Sequence, residues 1–244
     1  MRPAAPTLIE EHNLRQRHYF ERTIKRNMVP TDSPYLRRHV DEMICCGNIS
    51  TDDRVLEVGC GMGRYTLLLT QRGVRVEGLD LSPVLLERLE SYNGGRFDIT
   101  LHCVDIQNPP PPLYGAYDLV LGFFMLHHVE DLDLTFQSIA TLLHPGGRVV
   151  FLEPNPFNPL YYLQILITPG MTWQGDEGIV RMRRSLIFRA MERAGFTRCA
   201  MTRFGFFPPF LANRKWGSRL EALLESVPLW RAHLPFQLFR GERP

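Results

Sequence analysis

From Arg54 onward, short apolar runs alternate with amphipathic stretches of helical period, and nothing else in the chain restricts its fold as strongly. A parallel strand is buried on both faces and so reads as an unbroken apolar run, and a crossover of helix length must follow before its neighbour can lie beside it. The runs are Val55–Val58, Val74–Leu79, Ile99–Val104, Tyr117–Gly122, Arg148–Glu153, Arg198–Arg203 and Phe236–Arg240. Helices are expected over Tyr65–Arg72, Ser82–Tyr92, Leu132–Leu143 and Ser185–Ala194, with Ser82 as an N-cap and Pro83 in the first turn. Seven strands in this rhythm predict an α/β chain with a doubly wound sheet. At 244 residues the chain fits one such domain and is short for two.

The flanking segments read differently. Thr7–Asn27 is highly charged, with Leu8, Tyr19, Phe20 and Ile24 interspersed, and is expected to be a helix lying on the body rather than within it. Ser33 and Pro34 start a second helix that reaches Gly47, with Tyr35, Leu36, Val40, Met43 and Ile44 at helical spacing; this one should pack on the sheet. Two stretches, Asn155–Arg181 and Gly205–Pro235, interrupt the strand and helix rhythm and are rich in aromatic residues. The expected organisation is a single domain over 1–244, with 1–32 as an N-terminal lid helix and 155–181 and 205–235 as cap segments.

The first strand runs straight into a glycine turn: residues 55 to 63 read Val-Leu-Glu-Val-Gly-Cys-Gly-Met-Gly. Gly59, Gly61 and Gly63 remove Cβ atoms where the chain must turn sharply, and they let a ligand lie against the backbone. A dinucleotide fingerprint is G-x-G-x-x-G, whereas here the sixth position is Arg64 and Glu57 stands ahead of the turn. A carboxylate there suits a nucleotide-like ligand bearing a positive group and argues against NAD. The second strand ends in Asp80, near the roughly 20-residue offset at which an acidic side chain accepts the hydroxyls of a ribose. A mere helix-dipole role for Asp80 is less natural, because Ser82 already supplies the cap.

In matching E/D-x-G-x-G-x-G with Glu57, Gly59, Gly61 and Gly63, the segment resembles motif I of the class I S-adenosylmethionine-dependent methyltransferases. Val104-Asp105-Ile106, the string from Tyr117 to Asp131, and Leu142-Leu143-His144-Pro145-Gly146-Gly147 resemble the family's later motifs in identity and order, closely over residues 35 to 153 and loosely beyond. The resemblance implies a Rossmann-like seven-stranded sheet whose last strand, Phe236–Arg240, is antiparallel. It also implies S-adenosylmethionine as methyl donor and S-adenosylhomocysteine as product. The donor contacts it implies are Glu57, Gly59, Cys60, Gly61, Asp80, Leu81, Asp105 on the adenine amino group, Ile106 on the ring, Gly122 and Phe123. Tyr19 is expected to close an aromatic face over the methionine end.

After the fourth strand come His127 and His128. His127 is the one expected to face the transfer cleft, where an imidazole can accept the acceptor's proton; alternatively it shapes the pocket while alignment alone carries the transfer. His128, Asn155, Tyr161, Tyr162, Trp173, Phe207 and Phe210 are the expected acceptor contacts, because cap aromatics that the sheet does not need would be costly to leave in water. They suggest a small, largely apolar acceptor methylated on O, C or N. Burial of the same rings in a homodimer, a non-methylating enzyme of this fold such as a cyclase, and a non-catalytic donor-binding subunit are the alternatives.

Other classes fit poorly. A formal net charge of +2, with basic and acidic residues interspersed, forms no stripe for nucleic acid. The longest apolar runs, Leu119–Leu126 and Leu160–Ile167, are far short of the roughly 20 residues that span a bilayer, and the first residues do not read as a signal peptide. Five cysteines without C-x-x-C spacing fit reduced thiols in a cytoplasmic protein, and the histidines do not complete a metal-ligand spacing, so no metal is expected. A monomer or homodimer acting on a small molecule is the expected form.

Overall fold

Each of the seven expected strands forms, and all lie in one sheet. The computed structural model describes residues 7–22, 24, 28–159, 161–162, 177–214 and 216–244. In it β1 (Arg54–Val58), β2 (Arg75–Asp80), β3 (Leu101–Cys103), β4 (Tyr117–Phe123), β5 (Leu143–Pro154), β6 (Thr197–Phe204) and β7 (Phe236–Glu242) lie in the order β3-β2-β1-β4-β5-β7-β6. β1 to β5 are parallel, and β7 runs antiparallel to both β5 and β6. The chain winds outward from β1 to β3 and returns to place β4 on the other side of β1. That reversal opens a crevice at the carboxyl ends of β1 and β4, where ligands of doubly wound sheets bind.

Alternation along the strands feeds two cores. Val55, Leu119, Leu121, Val150 and Leu238 face α2 (Pro34–Gly47) and α3 (Thr66–Gln71), packing on Leu36, Val40, Met43, Leu68 and Leu69. Their neighbours Leu56, Val120, Phe151 and Phe239 belong to the other core with Phe136, Ile139 and Leu142 of α5 (Leu132–Leu142) and Ile187, Ala190 and Met191 of α6 (Arg184–Arg193). α4 (Pro83–Asn93) starts as its sequence signals: Ser82 Oγ accepts from Leu85 N at 3.3 Å and Pro83 fills the first turn.

The largest departures from the expected strand bounds are in β3 and β5. β3 is only three residues long, as befits an edge strand with a partner on one side. β5 starts at Leu143 rather than Arg148, because the His144-Pro145-Gly146-Gly147 string, which reads as a turn, is absorbed as an irregularity with a register shift opposite Tyr117 and Leu119. Short α7 (Pro209–Ala212) and α8 (Gly217–Ser226) precede β7.

α1 (Leu8–Arg22) has no buried residue. Polar links fasten it instead: His12 Nε2 donates to the His128 carbonyl at 2.9 Å, Asn13 Nδ2 to Asp105 Oδ2 at 2.7 Å, and the Ser82 hydroxyl to Glu21 Oε1 at 2.8 Å. It lies on the body, as its composition predicts. Among the described residues no helix is long and apolar enough to cross a membrane.

Candidate active site

The carboxyl ends of β1, β2 and β4, with the loop after β3, open on a cavity of about 790 Å³, walled also by α1, the start of α2 and the segment from Phe206 to Phe210. Its acidic side carries Glu57, Asp80 and Asp105, the three strand-end carboxylates of the sequence. Glu57 is almost wholly buried and its Oε2 has no hydrogen-bond partner; burial and then the Asp80 charge push its carboxyl up to about 8. Burial also raises Asp80, although Asp80 Oδ2 accepts from Gly61 N at 2.8 Å and Oδ1 from Ser82 N at 2.9 Å. Asp80 therefore holds the glycine turn in place as well as facing the cavity. Asp105 accepts from Asn13 and, through Oδ1, from Gln107 N at 2.9 Å.

The glycines divide the labour. A Cβ at Gly59 would lie 2.8 Å from Met125 Cβ, and one at Gly63 2.6 Å from Leu89 Cγ, so these two serve the packing of the turn. At Gly61, with φ of 51°, a Cβ would meet no protein atom within 4 Å, and that residue lines the cavity. Gly122 lies beneath the floor: its Cβ would meet Phe151 Cε1 at 2.7 Å and Met125 Cγ at 2.9 Å, and it does not line the cavity. Phe123 does, stacked on Tyr65 with ring centroids 4.0 Å apart.

His127 is held from the neighbouring strand. Its Nδ1 lies 2.6 Å from Glu153 Oε2, while Glu153 Oε1 accepts from Met125 N at 2.9 Å and Leu126 N at 2.7 Å. Both side chains are buried. A carboxylate only accepts, so Nδ1 carries the imidazole proton and Nε2 keeps a lone pair. One carboxylate at the end of β5 thereby fixes the turn Leu126–His128, the ring orientation and the tautomer. The turn is braced from behind as well: Arg181 donates to the carbonyls of Val129 and Glu130, and a Cβ at Gly178 would lie 1.7 Å from the His127 carbonyl oxygen.

Of the expected contacts, Glu57, Gly59, Cys60, Gly61, Asp80, Leu81, Asp105, Ile106, Phe123, His127, His128, Tyr161, Phe207 and Phe210 line this cavity together. Phe210 stands at the mouth, 71% exposed. Four others do not line it. Tyr19 is off the face that α1 presents, which is the series Asn13, Gln16, Arg17 and Phe20; Phe20, edge-on to His128 at 4.9 Å, stands where Tyr19 was expected. Asn155 is fully buried, its amide donating to the carbonyls of Ala232 and Leu234 at 3.0 and 2.8 Å, so it ties the two cap segments together; Asn158 lines the cavity instead. Tyr162 turns its hydroxyl to the Pro156 carbonyl at 2.8 Å. Gly122 is the fourth, and Trp173 lies outside the described residues.

Several lining residues carry no sequence signal: Tyr35 and His39 of α2, Tyr65, Phe124 and Phe236. Phe124 is a non-glycine residue with φ of 54°, a left-handed conformation that L-residues adopt uncommonly, directly after the end of β4.

A doubly wound sheet with a final antiparallel strand, a glycine turn behind a buried carboxylate, and acidic side chains closing successive strands define a nucleoside-binding transferase. The profile of the family described as "Methyltransferase domain" matches residues 17–199. A ubiquinone biosynthesis O-methyltransferase of Chromobacterium violaceum is 34% identical over 161 residues, covering 64% of this chain and 69% of that protein; one of Nitrosomonas europaea is 30% identical over 182 residues, covering 73% and 72%. Among solved structures, the fold matches a geranyl diphosphate C-methyltransferase of Streptomyces coelicolor with S-adenosyl-L-homocysteine at a TM-score of 0.62 and 18% identity, over 99% of this chain and 100% of that one. It also matches phosphoethanolamine N-methyltransferase 2 of Haemonchus contortus at 0.67 and 17%, over 94% of this chain and 60% of that one. The chain belongs to the class I S-adenosylmethionine-dependent methyltransferases, and S-adenosylmethionine is its methyl donor. The cavity fits that donor: the buried Glu57 carboxylate keeps one oxygen without a partner, where a cation can pair, and the space a Cβ would fill at Gly61 is open.

Proposed function

We propose that this enzyme transfers the methyl group to a hydroxyl of a small, largely apolar molecule. The observation that carries the reading is the continuity of one cavity from the acidic strand ends, past the Glu153-held His127, to the aromatic walls Phe124, Phe207, Phe210 and Phe236. The names of the O-methyltransferases that the chain resembles support the choice of oxygen. Bound S-adenosylmethionine supplies a methyl carbon activated by its sulfonium. In this reading Glu57 receives the donor's ammonium, Asp80 the ribose hydroxyls, and Asp105 with Ile106 the adenine. His127 Nε2 takes the proton of the acceptor hydroxyl as the new C–O bond forms and the methyl–sulfur bond breaks, with S-adenosylhomocysteine leaving, and Glu153 stabilises the resulting imidazolium through Nδ1. The aromatic walls orient the acceptor and exclude water. Incubation with methyl-labelled donor and a panel of apolar phenols and alcohols tests this: labelled ether product is expected, and label found only in polar or macromolecular fractions would refute it.

Two consequences concern the donor. With Glu57 at about 8 against an ordinary 4.5, the unliganded protein carries an extra proton below pH 8, and its folded state loses stability as pH rises from 4.5 towards 8. Pairing with an ammonium reverses that shift, so donor binding near pH 7 should release a proton and tighten with pH up to about 8, then level off. Calorimetry in buffers of different ionisation heat reads the release; Glu57→Gln should abolish it, and a pH-independent affinity in the parent would remove Glu57 from the donor. Asp80→Ala should weaken S-adenosylhomocysteine by roughly 1.5 to 3 kcal/mol, the range for hydrogen bonds to a charged group. Unchanged affinity in a folded Asp80→Ala protein would remove the ribose assignment.

A further inference from the structure

Two polar side chains of the cavity wall each leave one nitrogen without a partner and have no part in the chemistry above. Arg64 follows the last glycine of the turn and lines the cavity; its Nε is sealed from solvent without a hydrogen-bond partner, and its guanidinium sits 5.8 Å from the Tyr65 ring centroid. Among the described residues no carboxylate pairs with it, whereas the other cavity guanidinium, Arg17, is held by Glu21 at 2.8 Å. His39 is 2% exposed, shares a 3.0 Å hydrogen bond with the Tyr65 hydroxyl through Nδ1, and leaves Nε2 buried and unpartnered. The rings of Tyr35, Phe236 and Phe124 stand 4.5, 4.6 and 5.7 Å from its own. Burial, then the charge of Arg64, holds His39 down at about 3, so the imidazole is neutral at any working pH and is no rival base to His127.

A guanidinium nitrogen sealed from water without a partner is unfavourable, and a buried ring nitrogen without one adds to that penalty. Such a constellation is relieved when a ligand brings the missing anion. The donor has a carboxylate of its own, but the Arg64 guanidinium stands 5.8 Å from the ring of Tyr65, which stacks on Phe123 and hydrogen-bonds His39 of α2, on the aromatic side of the cavity. The guanidinium therefore belongs with the aromatic wall rather than with the acidic strand ends. The geometry points to a methyl acceptor that carries an acidic group: a carboxylate or equivalent oxyanion paired with the fork of Arg64, a second hydrogen bond from Nε2–H of His39, and an apolar body against Tyr35, Phe124 and Phe236. This inference rests on the reading of the cavity as the acceptor's, and narrows that acceptor from an apolar molecule to an apolar acid.

The test compares 2-naphthoate with 2-naphthamide, which differ in charge and little in shape, by calorimetry on enzyme saturated with S-adenosylhomocysteine. The acid is expected to bind at least about tenfold more tightly than the amide, with Arg64→Ala erasing the difference and Arg64→Lys, which keeps the charge and loses the fork, restoring part of it. Affinity for S-adenosylhomocysteine should change by less than about threefold in Arg64→Ala. Equal affinity for the two probes, or binding of neither, overturns the inference. So does an Arg64→Ala protein that loses S-adenosylhomocysteine but retains 5′-methylthioadenosine, because the guanidinium then grips the donor's carboxylate. If the acid is preferred and the preference needs Arg64, yet no hydroxyl is ever labelled, the anion site stands and the O-methyl transfer reading fails.

Discussion

Glu153→Gln is expected to fold and to lose roughly 10²- to 10⁴-fold in methyl-transfer rate, as much as removing the imidazole of His127 altogether. The amide oxygen of glutamine can still accept from the Met125 and Leu126 N–H groups, so the turn Leu126–His128 keeps its shape. Its NH₂ group must then face His127 Nδ1 where a carboxylate oxygen stood. An NH₂ donates, so Nδ1 becomes the acceptor, the ring proton moves to Nε2, and the nitrogen facing the acceptor can no longer take a proton. His127→Gln should match this loss, and the double variant should be no worse than either single one, since the two residues act as a unit. Rates measured on the acceptor recovered by methyl labelling, beside urea unfolding of each variant, decide it. A Glu153→Gln enzyme of parental rate would mean that alignment alone carries the reaction.

Substituting two neighbouring glycines of the turn should give opposite readouts. Gly61→Ala places a methyl group in open cavity, so the unliganded protein should lose only about 1–2 kcal/mol, the penalty of a left-handed conformation for an L-residue. Donor affinity should fall roughly 100-fold, about 2.7 kcal/mol, because that open space is where the donor must lie against the backbone. Gly63→Ala drives its Cβ to 2.6 Å from Leu89 Cγ, in the packing between the turn and α4, and should show first as lost stability, about 1–3 kcal/mol from overpacking in addition to the backbone penalty. Thermal melts and S-adenosylhomocysteine titrations of both variants separate the effects. Donor binding to Gly61→Ala at parental affinity would mean that the turn does not cradle the donor.

What could be seen in the sequence was whatever repeats or sits at a fixed offset from the glycine turn. β1, β2, β4 and β5 announced themselves because parallel strands are buried on both faces, and Glu57, Asp80 and Asp105 stood out because each lies at or just past the end of a strand run. The residues that escaped owe their places to tertiary contacts. Tyr35 and His39 read as one turn of an ordinary core helix; only the packing of α2 beside the crevice turns them onto the cavity. Glu153 was noticed as a strand end, but its grip on three groups of the turn after β4 depends on β4 and β5 being neighbours in register, Phe123 opposite Leu152. Tyr19 and Phe20 differ by one residue, which on a helix is a rotation of about 100°, and charge-rich α1 has no apolar stripe to fix its phase. Asn155, polar and next to the cap, looked like a ligand contact, whereas its amide satisfies carbonyls of the chain entering β7.

The most direct test of the account is a crystal structure of the enzyme with S-adenosylhomocysteine bound. In that complex the adenine is expected against Ile106 with its amino group at Asp105, the ribose at Asp80, the ammonium on Glu57, and the sulfur turned towards His127 Nε2 and the aromatic walls. A sulfur directed away from His127, or an ammonium paired elsewhere while Glu57 stays unpartnered, would contradict it.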